Sequence, residues 1–183
     1  MQHLLKTAIP FAAVLIFSAC GNDNAKTTET AASHDHAATE QTQNTASVTP
    51  VLKNDKLNAV YKHYIHLTTA LTNSDMTEAK IAANAIEAGT EDINDASGIA
   101  ATASKITSAS NIEAQRAAYA TMSKEMAELI KKEGLLSGEL YLAFCPMAFN
   151  DKGATWISGS KEIHNPYFGE KMLTCGEVKE TID

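Results

Sequence analysis

The sequence lacks an excess of positive charge. Its 183 residues contain 15 lysines and arginines against 22 aspartates and glutamates, which gives a formal net charge of −7 at pH 7. Proteins that bind nucleic acid neutralise phosphates with clustered Lys and Arg side chains. This acidic, arginine-poor chain has no such cluster, and we expect no nucleic-acid partner.

The sequence also lacks the short motifs of common enzyme classes. It contains no G-x-S-x-G elbow, no H-E-x-x-H pair, no phosphate-binding loop and no C-x-x-C. The scattered Ser, His and Asp residues cannot be assembled into a catalytic triad from their order alone, because triads are recognised by geometry. We therefore expect a protein that is not an enzyme.

Long hydrophobic runs are scarce, and the one near the N-terminus is too short to span a bilayer stably. Residues 1–6 give a positive start, and residues 7–17 form an apolar run that only Pro10 interrupts. This layout is typical of a secretory signal. The four residues Phe17-Ser18-Ala19-Cys20 resemble a bacterial lipobox, in which the signal is cut before the cysteine and the cysteine carries the lipid.

We therefore predict a lipoprotein signal peptide over residues 1–19 and lipidation at Cys20. The alternative is an ordinary secretory signal that happens to end near a cysteine. The lipoprotein interpretation places the mature protein in the bacterial cell envelope, anchored to a membrane by lipid and facing the periplasm or the cell surface.

Residues 21–50 contain almost no large apolar side chains, and Val48 is their only large aliphatic residue. Such a segment cannot bury enough apolar surface to fold alone. We predict that residues 20–50 are a lipidated cysteine followed by a flexible tether. His34 and His36 in this tether could contact one metal ion together, although a short histidine pair in a polar linker is more simply solvated.

Residues 51–183 are predicted to form one domain, because their length suits a single core and no second linker interrupts them. Apolar residues recur at helical spacing, and strand patterns are nearly absent before Leu140. The expected helices run from Leu57 to Leu71, from the Asp75-x-x-Glu78 capping box onward, within Ser97 to Ser108, and from Ser110 to Gly134. The predicted fold is all-α, an up-and-down bundle of about four helices with an irregular C-terminal cap.

Two pairs of possible metal ligands occur within these helices. Met122 and Met126 are one turn apart, but they share the apolar stripe of their helix and are expected to fill the core. His63 and His66 are also neighbours on a helix surface, but two imidazoles alone leave a zinc or copper site incomplete. We expect these histidines to be solvated.

Sulfur is concentrated near the C-terminus, although the whole chain has only three cysteines. Cys145 and Met147 flank Pro146, which ends any regular helix there. Met172 and Cys175 are three residues apart. Thiolate and thioether ligands favour Cu(I), so these four sulfurs are the predicted ligands, with His164 as a weaker candidate.

The same segment resembles a known group of sequences. The strings CPMAF and GATW, then Ile-x-Asn-Pro-Tyr-Phe-Gly and Met-Leu-Thr-Cys-Gly, are similar to a bacterial family of unknown-function helical domains. Such domains occur alone as lipoproteins or appended to periplasmic adaptor subunits of copper and silver efflux systems. The resemblance is specific over residues 141–178 and general over residues 52–134. It implies an envelope role connected with copper or other heavy metals, with efflux components as possible partners.

A structural disulfide between Cys145 and Cys175 explains the same cysteines. In an oxidising compartment, two cysteines that remain after lipidation of the third are expected to pair. Closing a loop of this length would stabilise the fold by about 3 to 4 kcal/mol. The protein would then be a non-enzymatic interaction module. A disulfide gives no reason for Met147 and Met172 to flank both cysteines, but both interpretations stay open at the level of sequence.

Overall fold

The computed structural model describes residues 49–183. Within them, four α-helices follow one another: α1 (Asp55–Thr72), α2 (Met76–Gly89), α3 (Ser97–Ser108) and α4 (Ile112–Glu133). The predicted helical core is therefore present. The signal peptide, Cys20, the tether and the His34/His36 pair lie outside the described residues, so these predictions stay predictions.

Local hydrogen bonds explain where three of the helices begin. The side chain of Asn54 accepts a hydrogen bond from the backbone of Leu57, and that of Asp75 accepts from Thr77 and Glu78. Asn111, and not the predicted Ser110, caps α4. These side chains satisfy N–H groups that have no partner within the helix. Gly134, with φ of 79°, ends α4 as the sequence predicted.

The prediction of an all-α fold is wrong, because the C-terminal third forms a sheet. Strands β3 (Leu140–Cys145), β4 (Ala154–Ser158) and β5 (Glu177–Ile182) make an antiparallel sheet in the order β4-β3-β5. A second, two-stranded sheet pairs β1 (Val51–Leu52) with β2 (Leu135–Ser137). The described domain is thus a mixed α/β fold with a helical core.

Distant pairing explains why these strands escaped the sequence pattern. Strand β3 lies between β4 and β5, so it is covered on both edges. Buried side chains occur at Leu140, Ala143 and Cys145, which does not give a strict alternation. A short strand of this kind depends on partners elsewhere in the chain more than on its own pattern. The predicted irregular cap is in fact this sheet with two short helical turns, α5 (Ala148–Asp151) and a 3-10 helix (Gly169–Met172).

A buried tyrosine network joins the sheet to the helices. The hydroxyl of Tyr64 accepts a hydrogen bond from the backbone N–H of Ile157 at 3.0 Å and another from the Tyr119 hydroxyl at 2.9 Å. It also lies 2.8 Å from the Ser123 hydroxyl oxygen. The ring of Tyr119 contacts that of Tyr167, which in turn contacts Trp156. Helices α1 and α4 therefore share one polar and aromatic core with the C-terminal segment.

We predict that Tyr64→Phe destabilises the protein. The substitution leaves the buried Ile157 N–H without its acceptor, which costs about 1 to 3 kcal/mol. Tyr61→Phe is the matched control, because Tyr61 is also buried but its hydroxyl makes no hydrogen bond within residues 49–183. Urea unfolding of the full chain should give a loss for Tyr64→Phe and a change within about 0.5 kcal/mol for Tyr61→Phe. Equal losses in the two variants would contradict the role given to the Tyr64 hydroxyl.

Candidate functional site

The structure brings Cys145 and Cys175 together. Their Sγ atoms lie 2.9 Å apart, and both residues are free thiols. Cys145 is the last residue of β3 and is completely buried, whereas Cys175 follows the 3-10 helix and is half-buried. The two thiols therefore form one site, with one sulfur fixed on a strand and the other on a turn.

The turn that carries Cys175 is held from two sides. The buried Asn165 donates from its side chain to the carbonyl of Cys175 at 2.6 Å, and its own backbone N–H donates to Leu173 at 2.8 Å. Gly176 follows with φ of 142°, and a Cβ there would lie 2.9 Å from the Trp156 ring. The asparagine and the glycine of the motifs thus serve to position the second thiol against the sheet.

The environment of Cys175 favours its neutral thiol. The hydrogen bond with Cys145 raises the pKa of Cys175 most, and burial and the charge of Cys145 add to the rise. The backbone N–H of Met147 faces the Cys175 sulfur and lowers this pKa, which offsets part of the rise. A raised pKa means that less thiolate is present at neutral pH than in a free cysteine, and thiolate is the form that attacks and that binds metals.

The predicted set of four sulfurs is divided between two neighbouring places. Met147 and Met172 both line a cleft of about 500 Å³, whose lining residues do not include either cysteine. The Met147 side chain is about half exposed, with 47% of the residue's surface accessible. The thiols therefore meet each other directly, and the thioethers line the space beside them.

The other predicted residues lie elsewhere. His164 is exposed, lies 3.4 Å from the carboxylate of Glu162, and lines a different groove. His63 is exposed, and His66 is paired with Glu78 at 3.0 Å. Met122 and Met126 are completely buried, which confirms that they belong to the core.

Sequence reasoning missed two features of the cleft. The first is a left-handed turn in α5, where Phe149, Asn150 and Asp151 have φ of 54°, 57° and 63°. Each such residue costs about 1 to 3 kcal/mol, and residues of this kind concentrate at functional sites. Asn and Asp tolerate this conformation, but nothing in the sequence pattern indicates it for Phe149.

The second missed feature is Arg116 on α4, the only arginine of the chain. The sequence did contain one sign of it. An arginine on an otherwise apolar helix face is expected to be buried and to need hydrogen-bond partners inside the protein. It lines the same cleft as the two methionines and is only 8% exposed.

Within residues 49–183, no three His, Cys, Asp or Glu side chains converge as a possible metal site. In the same part of the chain, none of the helices combines the length and the apolar character that a membrane span requires.

We predict that Cys145→Ala makes Cys175 more reactive. Removing the Cys145 thiol removes the largest cause of the raised pKa of Cys175, so the thiolate fraction near pH 8 should increase. Iodoacetamide labelling of the full chain, with the Cys175 peptide followed by mass spectrometry, should be faster than in the wild type.

Ala154→Gly provides the control, because Ala154 pairs with Cys145 across the sheet but carries no thiol. It should leave the labelling rate near that of the wild type. If Cys145→Ala labels no faster at Cys175, then Cys145 is not the cause of the raised pKa.

Comparisons with known proteins bear mainly on the helices. A search of curated proteins and a search of solved structures each gave no match. The model of a family described as a protein of unknown function (DUF3347) matches residues 60–138. These residues include most of α1 and all of α2, α3 and α4, whereas the Cys/Met segment that carried the sequence resemblance lies beyond the match. Over its helical core, the chain therefore matches a domain family of unknown function.

Proposed function

We propose that the protein binds Cu(I), or another soft heavy-metal ion, through the thiols of Cys145 and Cys175. In this proposal it is a lipid-anchored protein of the bacterial envelope that takes part in metal handling or supports efflux. The observation that carries the proposal is the contact of the two sulfurs at 2.9 Å. Two thiolates on one ion are a ligand set that Cu(I) accepts.

A small movement of Cys175 would be enough to admit an ion. Metal–sulfur bonds of about 2.3 Å at a tetrahedral angle place two sulfurs about 3.8 Å apart. The distance between the Sγ atoms of Cys145 and Cys175, which is 2.9 Å, would therefore have to increase by roughly 1 Å. Cys175 lies on a turn and is partly exposed, while Cys145 is fixed in β3, so Cys175 is the ligand that would move.

The methionines supply further soft ligands next to the thiols. Met147 is two residues from Cys145, and its backbone N–H already faces the Cys175 sulfur. Its side chain is about half exposed, so it can change rotamer without opening a cavity in the core. Met172 lines the same cleft and starts the turn that leads to Cys175. These contacts support Met147 and Met172 as additional ligands, whereas the position of His164 in another groove does not support it.

We predict that the reduced full chain binds one Cu(I) in competition with a colourimetric Cu(I) chelator. Cys145→Ser and Cys175→Ser should each reduce the Cu(I) affinity by more than about 100-fold. Even the loss of a residue that only hydrogen-bonds a metal ligand lowers metal affinity by about 10 to 100-fold. Met147→Ala should reduce it less, and His164→Ala should leave it unchanged. Met76→Ala is the methionine control, because Met76, the first residue of α2, neither lines the cleft nor takes part in the contact of the two thiols.

The proposal fails if the wild type and both serine variants compete equally poorly with the chelator. An equal loss in Met76→Ala and Met147→Ala would remove Met147 from the ligand set.

A second candidate function is favoured by the same sulfur contact. A disulfide bond is about 2.05 Å long, so the distance between the two Sγ atoms would have to decrease by roughly 0.9 Å. Formation of the bond releases two protons and transfers two electrons to an oxidant. The protein would then be a non-enzymatic interaction module, in which the helices dock on an envelope partner and the disulfide fastens the turn to the sheet.

We predict for this second candidate that oxidised protein unfolds at higher urea concentration than reduced protein. The difference in free energy of unfolding should be about 3 to 4 kcal/mol for a loop of thirty residues. The Cys145→Ser variant cannot form the bond, so it should unfold at the same urea concentration under oxidising and reducing conditions. Equal stability of the oxidised and reduced wild type, with the bond verified by mass spectrometry, would exclude a stabilising role.

A further inference from the structure

We propose that the cleft beside the thiol pair binds a small monocarboxylate with an apolar body, and that Arg116 receives the carboxylate. The cleft lies between the first turns of α4, the turn α5 and the 3-10 helix, and its volume is about 500 Å³. This size is within the range of small-molecule sites. The proposal does not depend on metal binding by Cys145 and Cys175.

Arg116 is buried without an anion in direct contact with its guanidinium. Its Nε donates to the carbonyl of Pro166 at 2.8 Å, and its Nη2 donates to the carbonyl of Leu71 and the hydroxyl of Ser74, both at 3.0 Å. All three acceptors are uncharged, and within residues 49–183 no carboxylate oxygen lies within 4.0 Å of the guanidinium. A buried cation is costly unless an anion compensates it.

The guanidinium retains hydrogen-bonding capacity. Nη1 makes no hydrogen bond with any residue of the described part of the chain, yet it is not among the fully enclosed unsatisfied atoms there. Burial lowers the pKa of Arg116, and the charge of Glu113 opposes this. A ligand carboxylate would place a negative charge in direct contact with the guanidinium and accept a hydrogen bond from Nη1.

The rest of the cleft suits an apolar body of modest size. Its walls include two phenylalanines, a tyrosine and two methionines: Phe149, Phe168, Tyr167, Met147 and Met172. Two exposed acids, Glu113 and Asp151, also line it. They repel any anion, and the repulsion grows with the charge of the anion. A single carboxylate in contact with Arg116, on an aromatic or thioether-like body, is therefore a better match than a dianion such as phosphate.

The backbone of the cleft wall holds three consecutive residues in the left-handed conformation. The left-handed conformation of Phe149, Asn150 and Asp151 costs free energy that the fold must offset elsewhere. It turns the segment so that all three residues line the cleft.

A purely structural role for Arg116 accounts for only part of these observations. Through Leu71 and Ser74 it satisfies acceptors at the end of α1, and through Pro166 it holds the C-terminal segment. This role uses Nε and Nη2. It leaves Nη1 without a hydrogen bond within residues 49–183, and it does not involve the apolar walls of the cleft.

The test uses the reduced full chain, with a metal chelator present, and phenylacetate as the probe. Binding followed by NMR chemical-shift changes should be saturable, and phenylacetamide, which lacks the charge, should bind about tenfold more weakly or worse. Ala117→Trp should block binding, because Ala117 lines the cleft and is exposed, so the substitution fills the site while Arg116 and its hydrogen bonds stay in place. Ala101→Trp, at an exposed position of α3, is the matched control and should bind like the wild type.

Arg116→Gln should also lose binding by about tenfold or more, and Ala117→Trp keeps the test decisive if that variant fails to fold. The proposal is overturned if phenylacetate does not bind at millimolar concentration, if phenylacetamide binds as well as phenylacetate, or if Ala117→Trp binds like Ala101→Trp. Inorganic phosphate that competes as effectively as phenylacetate would also overturn it, because the apolar walls would then contribute nothing.

Discussion

The structure of the C-terminal third depends on one buried hydroxyl group, that of Tyr64. It accepts hydrogen bonds from a backbone N–H of β4 and from Tyr119 of α4 while it belongs itself to α1. A buried polar group is stable only when it is satisfied, so the sheet cannot shift along the helices without leaving several groups unpaired. The hydroxyl therefore fixes the register of β4, and through β4 that of β3 and β5.

This fixed sheet determines where the loop between β3 and β4 begins and ends. Cys145 pairs with Ala154 at the last position of the β3–β4 pairing, so the eight residues between them form the connecting loop. The loop contains Met147 and the left-handed turn at Phe149. Because both ends of the loop are anchored in paired strands, the fold can hold a strained turn that an isolated loop would relax. The same anchoring holds the Cys145 sulfur where it contacts the sulfur of Cys175.

The sequence was informative where a structure is determined locally and uninformative where it depends on distant partners. The helices could be predicted because apolar spacing and caps such as Asp75 act within a few residues. The meeting of Cys145 and Cys175 could be anticipated from their chemistry, although thirty residues separate them. The sheet could not be predicted, because β3 pairs with strands whose own patterns are weak. Arg116 was missed for a similar reason, since its acceptors at Leu71 and Pro166 lie about fifty residues away on either side.

Met147 lies where the two candidate sites meet. Its backbone N–H faces the Cys175 sulfur, and its side chain forms part of the cleft that Arg116 also lines. A bare cation beside the Arg116 guanidinium would be repelled by it, although the exposed carboxylates of Glu113 and Asp151 also line the cleft. A Cu(I) ion held by two thiolates forms a complex with a net negative charge, which the guanidinium does not repel. The division of the four sulfurs therefore has a consistent electrostatic basis: the thiols can neutralise the ion, and the thioethers, which are uncharged, can lie beside the arginine.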